Sequence, residues 1–284
     1  MSRIDETPVF ILCGGLGTRL RKVDARPKAV IPIVRLPFLF YFLRLIGLQG
    51  FRDVHLLVGH GAEGVLSALG LGEGASSLGE VERAILEPLT LHAHREETPQ
   101  GTGGALRLAR DCFGELNLIA NADSYAEVVY RDLIDAHALL GDRSAEGVTL
   151  LGVWQDERKD YGGLRLEAQP VDPPDVPAPA GTSTTRLEAR IDPVVRMRTY
   201  RVTEFLEKGI AGEGWINGGV YLAGRAALER LPDGPSSLER QLLPELARES
   251  LLLACTCRCF FRDIGTPERL NRAEQEFRWI RARF

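Results

Sequence analysis

The 284-residue chain lacks an excess of basic charge. Lys and Arg number 35 against 39 Asp and Glu, a formal net charge of −4. The broad positive field typical of nucleic-acid-binding proteins is therefore absent, and we expect no nucleic-acid partner. Lysine itself is scarce, because Lys22, Lys28, Lys159 and Lys208 are the four lysines and the other 31 basic residues are arginine.

Long apolar runs are absent too. No run approaches the roughly 18 residues that a membrane-spanning helix needs. The start, MSRIDETPVFILC, places acids ahead of its apolar residues, which favours a first strand over a signal peptide. The five cysteines are odd in number, and Cys255, Cys257 and Cys259 alternate as small buried residues of a strand would. These features predict a cytoplasmic protein with no membrane partner and no disulfide framework.

Histidine offers no evident metal site in the sequence. The five histidines are His55, His60, His92, His94 and His137. None forms the i, i+4 pair that places two imidazoles on one helix face. We assign none of them as a metal ligand, although His60 follows an apolar strand and could line a site.

What is present is an alternation of apolar, strand-like runs with amphipathic, helical runs. Strands are predicted at residues 9–13, 53–58, 116–120, 148–154 and 219–222. Helices are predicted at residues 38–49, 102–110, 132–140, 238–248 and 267–281. This alternation predicts an α/β fold, a single Rossmann-like domain with a mixed, mostly parallel central sheet flanked by helices.

The pattern breaks between residues 167 and 200. The stretch QPVDPPDVPAPAGTSTT is rich in Pro, Ala, Ser and Thr and has no core-forming period. We therefore predict one domain over residues 1–284, with a Pro-rich, loop-like insertion at 168–200.

The first predicted strand is followed by a glycine-rich loop, GGLGTR, at residues 14–19. Glycines let the backbone approach a polyphosphate with its amides directed at the anion. Arg26-Pro27-Lys28 adds cations a few residues later. The loop has neither the Gly-Lys-Ser/Thr of a Walker A motif nor the third glycine of a dinucleotide-binding fingerprint. A tight turn carrying surface arginines is the alternative that the loop alone leaves open.

Further motifs follow in the order found in sugar-1-phosphate nucleotidylyltransferases, a family that the chain resembles over most of its length. The motifs are GGLGTRLR, RPKAVIPI, ETPQGTGGA (97–105), IANADSY (119–125), Tyr161-Gly162, Glu207-Lys208, WINGGVY (215–221), Ser237-Leu238-Glu239 and FRDIGTPE (261–268). Together, GTGGA, INGGVY, SLE and DIGTPE are most similar to the family's D-glycero-α-D-manno-heptose 1-phosphate guanylyltransferase branch.

The resemblance implies an enzyme that transfers a nucleotidyl group from an NTP to a sugar 1-phosphate, giving an NDP-sugar and pyrophosphate. The attacking phosphate is already ionised, so positioning and charge neutralisation should carry catalysis, with Mg²⁺ as cofactor. GTP with a heptose or mannose 1-phosphate is the expected pair. UTP, dTTP, CTP or ATP with a hexose 1-phosphate is the alternative, and a non-catalytic nucleotide-sugar-binding regulator is the alternative of another class. A homodimer is the assembly considered.

The same resemblance implies roles for individual residues. The nucleotide would bind to Gly14, Gly15, Gly17, Thr18, Gln100, Gly101 and Gly104, with Arg19, Lys28 and Asp123 as catalytic residues. The sugar phosphate would bind to Tyr161, Gly162, Glu207, Lys208, Asn217 and Gly218, and the metal to Asp123 and Asp263. The structural alternatives are a turn capped by Asp123, a helix capped by Asp263 and a simple glycine-rich helix entry after Gln100.

Lysine use supports these roles, and other positions depart from the family pattern. Two of the four lysines, Lys28 and Lys208, fall where the family places an ammonium against phosphate, which a broad guanidinium does not replace. Ala122 replaces the usual glycine before the aspartate, and Gln100 stands where the heptose branch often has leucine. The insertion lies between two sugar-site motifs, and we hypothesise that it alters acceptor access or an interface.

Overall fold

The computed structural model describes residues 4–15, 19–20, 24–72, 77–171, 197–206 and 209–283. Its strands are β1 (Val9–Leu12), β2 (Pro32–Ile33), β3 (Leu36–Pro37), β4 (Asp53–Val58), β5 (Thr90–Arg95), β6 (Leu116–Asn121), β7 (Ser124–Ala126), β8 (Val148–Gln155), β9 (Gly163–Leu166), β10 (Arg198–Leu206), β11 (Gly214–Gly224), β12 (Leu252–Cys257) and β13 (Phe261–Asp263). Its α-helices are α1 (Phe38–Leu48), α2 (Ala62–Ala68), α3 (Glu80–Leu86), α4 (Gly101–Leu108), α5 (Tyr130–His137), α6 (Arg225–Glu229), α7 (Leu243–Arg248) and α8 (Pro267–Arg281). Within these ranges, no helix combines the length and apolarity needed to cross a membrane.

The main sheet of the described residues has nine strands in the order β5-β4-β1-β6-β11-β8-β12-β10-β9. Four of its eight neighbouring pairs are parallel, namely β5–β4, β4–β1, β1–β6 and β8–β12. Val9, Phe10 and Ile11 of β1 are all fully buried, because apolar clusters cover both faces of the sheet. The predicted α/β fold with a mixed central sheet flanked by helices is confirmed, with half of the neighbouring strand pairs parallel.

Local sequence explains where the helices begin and end. Helix α8 covers the predicted residues 267–281, with Thr266 as its N-cap and Pro267 at the first helical position. Helix α5 ends at His137, three residues before the prediction, and a 3₁₀ segment broken at Gly141 follows. The predicted helix 238–248 is divided into a π-turn, Leu238–Leu242, and α7, since Pro244 has no N–H for an α-helical bond.

Several strands have no apolar run in the sequence that would predict them. Strand β5 is a mostly exposed edge strand with the sequence TLHAHR, stabilised by its parallel register with β4. Strands β9 and β10 form a hairpin on either side of the predicted insertion. The predicted boundary at 200 is wrong, because residues 198–200 already belong to β10, while 172–196 lie outside the described residues.

The topology brings several chain segments to one end of the sheet. The parallel strands β1 and β6 end at Leu12 and Asn121, which are register partners. Loops that follow the carboxyl ends of adjacent parallel strands share one crevice. Residues 13–15 and 122–123 therefore meet there, and the small ladder between β7 and β13 places Asp263 opposite Ser124.

Candidate active site

A cavity of about 350 Å³ lies at the carboxyl ends of β1 and β6. Its lining combines the first glycines of the loop, the lysine turn, the entry to α4 and the end of β6. The lining residues are Leu12, Cys13, Gly14, Gly15, Lys28, Ala29, Glu96, Pro99, Gly101, Thr102, Ala105, Asn121, Ala122, Asp123 and Glu239. Motifs separated by more than 200 positions in the sequence thus form one concave surface.

Lys28 and Asp123 form an ion pair at this cavity. The Lys28 Nζ lies 2.9 Å from Asp123 Oδ2, with 23% and 32% of the two side chains exposed. Lys28 opens a 3₁₀ turn after Pro27, and Asp123 lies two residues after the end of β6. A partly buried ammonium and a carboxylate, 95 residues apart in sequence, are thereby directed into the cavity together.

Asp263 is close in the fold, but its carboxylate is fully engaged. The backbone N–H of Ile264 donates to the carbonyl oxygen of Asp123 at 3.1 Å. Asp263 Oδ1 accepts from the backbone N–H of Gly265 at 3.0 Å and from Arg269 Nη1 at 2.8 Å. Its Oδ2 accepts from the Tyr161 hydroxyl. The Asp263 carboxylate therefore organises Tyr161 and Arg269, and it is not among the described groups that line the cavity.

Burial and the Asp263 charge both act on Tyr161. Burial raises the pKa of the Tyr161 phenol, and the neighbouring Asp263 carboxylate raises it further. The Arg269 guanidinium lies over the Tyr161 ring, 4.2 Å from its centroid. Tyr161 is thus a neutral hydrogen-bond donor with a fixed ring orientation.

The glycine loop packs on an acidic residue that the motifs did not single out. A Cβ at Gly14 would lie 2.5 Å from Glu96 Oε2, and one at Gly59 would lie 2.6 Å from the same oxygen. Burial raises the pKa of Glu96, whose Oε1 accepts from the backbone N–H of Gln100. A Cβ at Gly15 would instead meet nothing within 4 Å. Gly14 thus permits close packing, and Gly15 leaves open space, while Gly17 and Thr18 lie outside the described residues.

The glycines at the start of α4 have a packing role. Gly101 has φ +72°, and a Cβ there would clash with the Ser236 carbonyl oxygen. A Cβ at Gly104 would lie 2.8 Å from the Gly234 carbonyl oxygen. The Gln100 Nε2 donates to Thr98 Oγ1 at 2.7 Å, and Gln100 is not among the described lining residues. These contacts hold α4 against the loop before the SLE motif.

Glu239 of the SLE motif joins the nucleotide and sugar motifs. Its Oε2 accepts from Thr102 Oγ1 at 2.8 Å and from Ser237 Oγ at 3.0 Å. The hydroxyl of the buried Tyr221 donates to Oε1 at 3.4 Å and accepts from Asn217 Nδ2 at 2.7 Å. Three donors hold one half-buried carboxylate at the cavity wall, so the motif has a physical function that sequence reasoning missed.

The remaining sugar-site residues lie close together. The Asn217 backbone N–H donates to the Gly162 carbonyl oxygen at 3.1 Å, and Asn217 Oδ1 accepts from the Gly219 N–H at 3.0 Å. A Cβ at Gly218 would lie 2.9 Å from the Leu151 carbonyl oxygen. The structure therefore joins the 161–162 and 217–219 motifs, whereas Glu207 and Lys208 lie outside the described residues.

The remaining positions that the sequence analysis named differ in whether they line the cavity. Arg19 is exposed and is not among the described residues that line the cavity. Ala122 is buried and does line it. Cys13 also lines it, and burial, with the Asp123 charge adding to the effect, raises the pKa of its thiol to about 12. The Cys13 thiol is therefore a neutral wall group and not a nucleophile.

The charges of the cavity wall are unbalanced. Among the described lining side chains, Lys28 supplies one ammonium, whereas Glu96, Asp123 and Glu239 supply three carboxyl groups. A polyphosphate would meet net negative charge at this wall unless further cations accompany it. This electrostatic balance favours an anion that arrives together with a metal ion.

The mixed sheet with its cavity at the carboxyl edge defines a Rossmann-like α/β protein. The profile of the nucleotidyl transferase family matches residues 9–278, and the chain therefore belongs to that family. The resemblance in sequence is confirmed by this match.

Individual relatives agree with this assignment. The chain is 28% identical over 270 residues to the D-glycero-alpha-D-manno-heptose 1-phosphate guanylyltransferase of Aneurinibacillus thermoaerophilus, covering 94% of this chain and 96% of that protein. It is 27% identical to the probable mannose-1-phosphate guanylyltransferase 2 of Oryza sativa subsp. japonica, covering 91% of this chain and 61% of that protein. The chain thus spans about three fifths of the length of this rice relative.

A solved structure supports the same fold. The crystal structure of HddC from Yersinia pseudotuberculosis superposes with a TM-score of 0.70 at 25% identity, covering 96% of this chain and 100% of that one. A putative glucose-1-phosphate thymidylyltransferase from Bacillus anthracis has a TM-score of 0.71 at 15% identity, which supports the fold alone.

Proposed function

We propose that this protein is an enzyme that transfers a nucleotidyl group from an NTP to a sugar 1-phosphate, releasing pyrophosphate. The observation that carries this proposal is the Lys28–Asp123 ion pair at the cavity on the carboxyl edge of β1 and β6. Both groups stand at positions that match the family motifs, and both side chains remain partly exposed. A cation and a carboxylate side by side suit a reaction that neutralises and positions phosphates.

In this proposal each described residue has a separate task. Gly15 gives the triphosphate room at the loop, and Lys28 neutralises the α-phosphate and the incoming sugar phosphate. Asn217 and Gly162 border the sugar site, and Tyr161, whose hydroxyl donates to Asp263, lies beside them as part of its wall. The sugar-phosphate oxygen attacks the α-phosphorus, its bond forms as the bond to the β-phosphate oxygen breaks, and pyrophosphate leaves with that electron pair.

Of the two predicted Mg²⁺ ligands, Asp123 and Asp263, Asp123 is placed to bind the cation. Asp123 offers hard oxygen donors at a cavity whose other charges are mostly negative, the setting in which Mg²⁺ binds with phosphate oxygens. Asp263 can join it only if Tyr161 or Arg269 releases an oxygen. When bound, the cation would neutralise phosphate charge. Asp123 is the residue we propose to hold it, with Asp263 as a second ligand after such a rearrangement.

We propose GTP and a heptose or mannose 1-phosphate as the substrates. The two sequence relatives from Aneurinibacillus thermoaerophilus and rice named above are guanylyltransferases of heptose and mannose 1-phosphates, which supports this pair over other nucleotides. A cytoplasmic setting is supported by the five cysteines, all of which are free thiols in the structure.

Pyrophosphate release tests the proposal. The purified protein is incubated with Mg²⁺, each of the five common nucleoside triphosphates and a panel of sugar 1-phosphates. We expect GTP with a heptose or mannose 1-phosphate to give the highest kcat/KM. A preference for another nucleoside triphosphate would change the proposed substrate and leave the proposed reaction in place. No turnover, together with retained nucleotide-sugar binding, would support the regulatory alternative.

The variant Asp123→Asn tests the site itself. We expect turnover to fall by roughly 10²-fold or more, because the amide neither pairs with Lys28 nor holds a cation well. Circular dichroism and the melting temperature should stay close to wild type, since the side chain is one-third exposed. Near-wild-type turnover would remove Asp123 from the catalytic and metal-binding roles.

A further inference from the structure

A second cluster of ligating side chains lies at the edge of the sheet, outside the cavity. His55 is on β4, His94 is on the edge strand β5, and Cys112 ends the 3₁₀ turn Arg110–Cys112 that follows α4. The His55 Nδ1, His94 Nε2 and Cys112 Sγ atoms all lie within 4.8 Å of one another. Three elements distant in sequence thus direct two imidazoles and a thiol at one point.

His55 is held in the orientation that a metal ligand needs. Its ring stacks between Phe10 and His92, with both centroid distances 4.8 Å. Its Nε2 lies 3.2 Å from Asp53 Oδ2, and a carboxylate oxygen accepts, so Nε2 carries the proton. The lone pair is therefore on Nδ1, which faces His94 Nε2 at 2.9 Å. In many zinc sites a carboxylate likewise accepts from one ring nitrogen of a histidine, and the other ring nitrogen binds the metal.

The surroundings favour the neutral imidazoles that bind metal. Burial lowers the pKa of His55, although Asp53 opposes that effect. Burial also lowers the pKa of His94, and the neighbouring His55 and His92 lower it further. Burial and the neighbouring groups thus oppose protonation of both rings. When a cation binds, His94 Nε2, which donates to His55 Nδ1, passes its proton to the other nitrogen of its ring, and the Cys112 thiol, whose pKa is raised by burial, releases one.

We propose that His55, His94 and Cys112 bind one zinc-class divalent cation, separately from the proposed active site. Two nitrogens and one sulfur select such a cation over Mg²⁺, which takes oxygen ligands. Tetrahedral coordination with bonds of about 2.0 Å to nitrogen and 2.3 Å to sulfur needs ligand atoms roughly 3.3–3.5 Å apart. The imidazole nitrogens separate slightly and Sγ approaches by up to about 1.3 Å, a movement open to a half-buried residue at the end of a short turn. Water takes the fourth position.

The position of the cluster gives the bound cation a structural role. It ties the edge strand β5 to β4 and to the end of α4, whose first residues line the cavity. Glu96, which packs against Gly14, follows the end of β5 two residues after His94. A cation here would therefore stabilise the part of the structure against which the glycine loop packs.

Zinc binding to tag-free protein tests the proposal. Protein stripped with a chelator and desalted is titrated with Zn²⁺ against a chromophoric chelator in excess Mg²⁺. We expect one equivalent to bind and to raise the melting temperature. Cys112→Ser and His94→Gln should each weaken binding more than tenfold, and Asp53→Ala, which removes the orienting carboxylate, by about 10- to 100-fold. The matched controls Cys259→Ser, His60→Gln and Asp123→Asn should retain the equivalent.

Cobalt provides a second readout that does not depend on activity. Co²⁺-loaded wild-type protein should show a thiolate-to-cobalt charge-transfer band, which Cys112→Ser loses and Cys259→Ser keeps. If wild-type protein fails to bind one equivalent of Zn²⁺ in the titration, the cluster is only a hydrogen-bonded histidine pair beside a thiol, and the proposal is overturned. A charge-transfer band that persists in Cys112→Ser would overturn it as well.

Discussion

Lys28 is one of four lysines in a chain whose other 31 basic residues are arginine, and it lines the candidate active site. Its ammonium pairs with Asp123 while the side chain stays about one-quarter exposed toward the cavity. An ammonium is a compact point charge that contacts a carboxylate and a phosphate at once, whereas a guanidinium is wide and planar. The retention of lysine here therefore has a geometric reason.

We predict that a positive charge alone at position 28 does not give wild-type catalytic activity. Lys28→Met should lower kcat/KM for pyrophosphate release by roughly 10²- to 10³-fold, because a phosphate loses its neutralising cation. Lys28→Arg should remain at least about tenfold below wild type, since the broader group displaces the phosphate. Lys159→Arg is the matched control at an exposed lysine. Full activity of Lys28→Arg would show that position 28 needs only a positive charge.

Among the elements, α4 depends on its glycines for packing. Gly101 adopts a positive φ of +72° at the first turn and lies against the Ser236 carbonyl. Gly15, in the loop after β1, has open space where a Cβ would be. The two glycines belong to neighbouring parts of the cavity wall but have different physical requirements.

Alanine substitution should separate these two requirements. Gly101→Ala should lower the unfolding free energy by about 2 kcal/mol or more, because the new Cβ meets both strain and a clash. Gly15→Ala should leave the denaturant midpoint within error and raise KM for the NTP, since the methyl fills space meant for phosphate. Urea unfolding and steady-state kinetics measure both. Equal stability of the two variants would contradict the packing role of Gly101.

The β9–β10 hairpin determines where the insertion begins and ends. Gly163 and Leu206 are register partners at one end, and the backbone N–H of Val171 donates to Thr199 near the other. Strand β9 itself has four residues, and the Val171 bond continues the pairing beyond its end, so the pairing extends to the border of the insertion. The hypothesis that it affects acceptor access or an interface stays a prediction.

Replacing residues 172–196 by a short turn tests that hypothesis. We expect a several-fold change in KM for the sugar phosphate or a change in oligomeric state by light scattering. The melting temperature should hold, because the hairpin pairing is retained and loop length alone has a small free-energy cost. Unchanged kinetics together with an unchanged oligomeric state would reject the hypothesis.

On the scale of the whole molecule, buried His137 links stability to pH. Its Nδ1 lies 3.0 Å from Thr149 Oγ1, and its Nε2 donates to the Ser144 carbonyl oxygen at 2.9 Å. Burial lowers the pKa of His137 from 6.5 to about 4, although the Ser144 bond opposes this effect. The unfolded chain therefore binds a proton here at a higher pH than the folded chain does.

The sign of this linkage predicts acid sensitivity. Above pH 6.5 the contribution of His137 to stability is complete, and it is lost progressively as the pH falls from 6.5 towards 4. The loss should approach about 3 kcal/mol. The difference between wild type and His137→Gln in urea unfolding at several pH values isolates this effect. A pKa near 6.5 for His137 in a histidine NMR titration of the folded protein would contradict it.

Sequence alone determined the α/β class, the family and the order of the motifs, because apolar periodicity and glycine spacing are local properties. It also selected Lys28 and Asp123, since a motif fixes residue type and position along the chain. Only the tertiary structure decided that Asp263 is held by Tyr161 and Arg269, and that Glu239 joins two motifs. The cluster of His55, His94 and Cys112 likewise could not be predicted from the sequence. Its members come from two strands and a turn, and only the sheet register and the packing of the turn after α4 bring the three ligand atoms within 4.8 Å of one another.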